Sequence, residues 1–104
     1  MSITRFTTPP ITLKVVGVDI TAATVYVTIK QGTTELNLSG AALTLTKVSS
    51  DTNITFSLTQ AQSGGLNFSA YAEVQVNWIA GGVRYATEIA KLRVLENLYD
   101  EVIS

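Results

Sequence analysis

Between residues 71 and 79 the chain alternates without a slip. Val74, Val76 and Trp78 share one parity, and Glu73, Gln75 and Asn77 share the other. A strand points successive side chains to opposite sides, whereas a helix repeats every 3.6 residues, so this pattern gives one dry face only if the segment is a strand. The same period returns at Ile11, Leu13 and Val15, at Val25, Val27 and Ile29, at Leu43 and Leu45, and at Ile54, Phe56 and Leu58. A short strand is expected over residues 35–38. Ala90, Leu92 and Val94 mark the inner face of a returning strand over residues 83–95, long enough to expect a bulge or a change of sheet within it.

The breaks between these segments are turn sequences: Gln31-Gly32-Thr33, Ser39-Gly40, the polar stretch 49–53, and Ala80-Gly81-Gly82, a hairpin signal with glycines for positive φ. Residues 59–66 do not alternate and stop at Gly64-Gly65. They predict a single helical turn or loop crossing between sheets. About seven strands at turn spacings near 8–12 residues, with no amphipathic helix among them, predict an all-β, immunoglobulin-like β-sandwich with Trp78 in its core. The 104 residues suffice for one domain. We expect an extended arm over residues 1–10, the sandwich over 11–95 and a tail over 96–104. In the tail Leu95, Leu98, Tyr99 and Val102 fall on a helical stripe.

Composition narrows the chemistry. The chain has no Cys and no His. Without a disulfide the core must hold the fold alone, and Ser or Cys nucleophiles lack their usual base. Zinc, iron and copper sites lose their preferred ligands, and the scattered carboxylates lack the spacing of a calcium loop. We therefore expect no catalytic residue, no cofactor and no metal. Charged residues make up only 14% and the net charge is −1, with the basic residues spread along the chain. Nucleic-acid binders cluster their basic residues on one face, so no nucleic-acid partner is expected. A weakly charged surface suits packing against other protein, as in a homo-oligomer. Residues 1–10 have no apolar signal core, and no apolar run reaches the roughly 20 residues of a membrane helix. A soluble protein made in the cytoplasm and no membrane partner are the expectations.

Two regions stand out as partner interfaces. The arm carries Phe6, Pro9 and Pro10, and an extended arm can add to the edge of a neighbour's sheet. The tail carries Leu98, Tyr99, Val102 and Ile103, which pack either back on their own sandwich or on a neighbour. Tyr26, Tyr71 and Tyr85 offer a different possibility, a stacking face for a glycan. That makes a carbohydrate- or cell-surface-binding module the alternative function.

From residue 54 to residue 98 the chain resembles small bacteriophage and prophage tail or baseplate proteins with immunoglobulin-like domains. The resemblance lies in Phe56-Ser57-Leu58-Thr59, the loop over 60–66, the strand over 71–78, the Gly81-Gly82 hairpin, Tyr85-Ala86-Thr87, and Leu92-Arg93-Val94-Leu95-Glu96-Asn97-Leu98. Ser69 or Ala70 stands where those proteins carry a glycine. The resemblance implies a non-enzymatic virion component present in several copies. It would dock onto other virion proteins, and be found in the virion or in the bacterial cytoplasm before assembly. It implies no catalytic residue.

Overall fold

The alternating segments become strands in the computed structural model, which describes residues 1–103. The strands are β1 (Ser2–Thr4), β2 (Pro10–Val15), β3 (Thr24–Gln31), β4 (Thr34–Ser39), β5 (Thr44–Val48), β6 (Asp51–Ser57), β7 (Tyr71–Ala80), β8 (Val83–Ala86) and β9 (Ala90–Leu95). A short helix α1 (Gln60–Gly64) joins β6 to β7. One sheet runs β1-β9-β7-β3-β4 with β8 also on β7, and the other runs β2-β6-β5. The two pack into an all-β sandwich. The β9-β7-β3 and β2-β6-β5 orders are the G-F-C and B-E-D orders of an immunoglobulin domain.

Register explains the core. In the larger sheet Val25 lies opposite Trp78, Val27 opposite Val76 and Ile29 opposite Val74, and all six are buried. In the smaller sheet Ile54 lies between Leu13 and Leu45, and Phe56 opposite Ile11. Side chains of both sheets form one apolar cluster, each fully buried Val, Leu or Ile contributing about 1.5–3 kcal/mol. Antibody domains place a disulfide between strands B and F. Here the chain has no cysteine, and Val15 of β2 and Val74 and Val76 of β7 belong to the apolar core, with Leu13 packed against it.

Polar groups inside are matched. Thr52 is fully buried, where its hydroxyl accepts from the Ile20 N–H at 3.0 Å and donates to the Val18 carbonyl at 2.9 Å. This pins the loop before β3. At the start of α1, Thr59 and Gln62 form a capping box, each side chain accepting from the other's backbone N–H. The helix carries the chain from the smaller sheet to the larger one, as the lack of alternation there predicts.

Two expectations need correction, the inward place of Ala90 and the helix in the tail. Within the extended arm, β1 pairs in parallel with β9, Ile3 opposite Val94, and Ile3 is only 2% exposed. A buried isoleucine outweighs the freedom of a short terminal segment. The returning strand is interrupted, as its length predicts: it divides into β8 and β9, separated by Thr87, Glu88 and Ile89. The step is held at Thr87, whose hydroxyl accepts from the Val76 N–H while its carbonyl accepts from the Gln75 side chain. Ala90 is exposed, so Leu92 and Val94 alone carry the inner face of β9. Residues 96–103 form no helix. That segment is shorter than an isolated helix requires, and Asn97 spends its side chain on the Tyr99 N–H and the Arg5 carbonyl. Ser104, the last residue of the expected tail, lies outside the described residues.

Candidate interaction surfaces

Arg5 ties the two ends of the chain together. Its Nε donates to the Leu66 carbonyl and its Nη2 to the Gly64 carbonyl, both at 2.7 Å. Its Nη1 pairs with Asp100 at 2.5 and 2.6 Å to the two carboxylate oxygens. The guanidinium also lies 5.2 Å from the centre of the Phe6 ring. One side chain thus joins the arm, the end of α1 and the tail. Charge-assisted bonds of this kind are the stronger hydrogen bonds of a protein.

The tail has two further attachments. Asn97 donates to the Arg5 carbonyl at 2.9 Å. Gln60 holds the backbone of Ile103 twice, donating to its carbonyl at 2.8 Å and accepting from its N–H at 2.7 Å. The tail therefore folds back on its own domain, but through polar groups. Its apolar side chains stay outside: Leu98 is 98% exposed, and Tyr99, Val102 and Ile103 are also exposed.

The two ends differ in the surface they leave free. Phe6 is partly covered, its ring occupying the space above Gly64. Pro9 and Pro10 are exposed, and Pro10 begins β2. The arm and the tail meet through Arg5, Asn97 and Asp100. The expected interface residues are brought to the same end of the molecule, with the tail supplying most of the exposed apolar surface. Asp100 and Arg5 themselves were not marked by their sequence, because a single Arg and a single Asp distant in the chain carry no periodic or motif signal.

The tyrosines do not form one patch. Tyr85 stacks on Trp78 with ring centres 5.6 Å apart, acting as a cover for the core. Tyr26 lies on the outer face in a hollow of about 380 Å³ with Thr28, Asn37, Asn77 and Arg84. Tyr71 lines a separate hollow of about 470 Å³ with Phe68, Arg93 and Glu96. Phe68 escaped notice in the sequence because it sits in a loop, outside any alternating run.

The charges follow the strand register. Glu35, Lys30, Glu73 and Lys91 lie in one cross-strand row, alternating in sign across β4, β3, β7 and β9. Two carboxylates are tuned. Hydrogen bonds from Thr21, with Lys47 nearby, hold Asp19 below the usual aspartate value, and the Gly17 N–H and Lys14 do the same for Asp51. Asp51 begins β6, and Asp19 lies in the loop between β2 and β3. No group of three or more His, Cys, Asp or Glu residues that could hold a metal ion occurs among the described residues. No helix among them is long and apolar enough to cross a membrane.

No protein-family model matches the chain, and the curated proteins contain no significant match to it.

Proposed function

We propose that this protein is a non-enzymatic structural component of a phage or prophage particle, a tail or baseplate part. It would act by assembling with copies of itself and with other virion proteins. The observation that carries the reading is the tail. Arg5 holds the Asp100 carboxylate, Asn97 donates to the Arg5 carbonyl and Gln60 holds the Ile103 backbone, while Leu98, Tyr99, Val102 and Ile103 present apolar surface outward. A tail held in position loses less conformational entropy on docking than a free one, so more of its apolar area counts toward association. The resemblance over residues 54–98 supplies the setting, and the low charge of the chain suits a protein packed among others.

Light scattering across a concentration series tests the reading. The full chain should form a defined multimer, and a variant lacking residues 98–104 should drop in mass while keeping its β circular dichroism. Equal masses for the two proteins would remove the tail from the interface. A monomer at every concentration would overturn self-assembly.

A second reading, a carbohydrate- or cell-surface-binding module, is favoured by one observation. Phe68 and Tyr71, two half-exposed aromatic rings, line the same hollow.

A further inference from the structure

We infer that the hollow between the loop before β7 and the end of β9 is a binding site for a neutral saccharide. The inference rests on the second reading above and gives it a place and a ligand class. The hollow measures about 470 Å³, within the range of small-molecule sites. Two aromatic rings line it, Phe68 at 47% and Tyr71 at 58% exposure, more open than core residues. Lys91 lies over the Tyr71 ring, 5.6 Å from its centre. An exposed aromatic ring offers the C–H face of a pyranose an apolar, π-rich surface at little entropic cost.

The polar lining is the second part of the argument. Arg93 lies opposite Tyr71 across the β7–β9 pair, and Glu96 follows just beyond β9. Among the described residues neither side chain forms an ion pair or a hydrogen bond, although both line the same hollow. Neighbouring hydroxyls of a sugar match such a pair. A carboxylate accepts from two hydroxyl donors, and a guanidinium donates to hydroxyl and ring oxygens. One positive and one negative group select against strongly charged ligands, since an anion meets Glu96 and a cation meets Arg93. Nearby Lys91 lies opposite Glu73, which offsets its charge. A neutral, polyhydroxylated ring satisfies all four side chains together.

The test is a titration of the ¹⁵N-labelled full chain with cellotriose, maltotriose and triacetylchitotriose to millimolar concentration, followed by amide shifts. At least one trisaccharide should shift the amides of residues 68–71 and 93–96 in a saturable way. Tyr71→Ala and Phe68→Ala should each abolish those shifts while retaining a dispersed spectrum, and Glu96→Ala should weaken binding about tenfold, as the loss of a charged hydrogen bond does. Saturable shifts elsewhere, around Tyr26 for example, would overturn this site and leave the glycan reading standing. No shift with any of the three sugars would overturn both. Shifts that persist in both aromatic variants would remove the rings from the site.

Discussion

Gly64 and Phe6 share one space. A Cβ at residue 64 would fall against the Cδ1, Cε1 and Cζ atoms of the Phe6 ring. Phe6 also has φ 60, left-handed backbone that costs a side-chain-bearing residue about 1–2 kcal/mol. The ring's seat on Gly64 and the bonds of neighbouring Arg5 hold it there. Gly64→Ala should therefore destabilise the fold by about 1–3 kcal/mol through overpacking. Urea unfolding should show that adding Phe6→Ala to Gly64→Ala costs less than the two single changes summed, because the clash is then gone. Additive costs would mean the ring does not sit against residue 64.

Trp78 and Tyr85 behave as a core residue and its cover. Trp78 is 9% exposed and Tyr85 stacks on it across the β7–β8 pair. Trp78→Ala should cost about 3–5 kcal/mol in denaturant titration, the usual figure for emptying a large aromatic site. Tyr85→Ala should cost less and redden Trp78 fluorescence as water reaches the indole. A Trp78→Ala cost under about 1 kcal/mol would place the residue outside the core.

Acid should act through Asp19 and Asp51. Both carboxyls titrate below 3.8, the ordinary aspartate value, when folded. A depressed folded value means the unfolded chain takes up the proton more readily. The stabilisation is thus complete above 3.8 and lost as pH falls below it toward the folded values. Asp51→Asn keeps an oxygen to accept from the Gly17 N–H, 2.8 Å away in the native protein, but removes the titration. Thermal melts over an acid series should fall less steeply for this variant than for the native chain. Parallel curves would show that Asp51 titrates alike in both states.

The strands were legible wherever burial was one-sided. Val25, Val27 and Ile29, and Val74, Val76 and Trp78, alternate in sequence and lie opposite each other in the core. The period failed at Ala90, a small residue at the start of β9 that shares the right parity but reaches no core. The apparent helical stripe in the tail failed for another reason. Leu95 belongs to β9, and the rest of the stripe faces solvent, so no packing exists to reward a helix. Among the candidate interface residues, Leu98, Tyr99, Val102 and Ile103 are exposed as an interface requires, whereas Phe6 is drawn against Gly64.

Period and turn chemistry are local, and they determined that this chain makes an all-β sandwich, where most strands lie and which side chains face inward. They also set what it lacks, since a chain without His or Cys has no imidazole or thiolate to offer. Tertiary structure alone decided the rest. Ile3 is an ordinary apolar residue until β9 lies beside it. Arg5 is one of seven basic residues until the fold brings Asp100 and the carbonyls of Gly64 and Leu66 within reach. Phe68, Tyr71, Arg93 and Glu96 share a hollow only because β7 and β9 pair. A contact between residues far apart in the chain leaves no trace in local pattern, because its energy depends on where the whole backbone has gone.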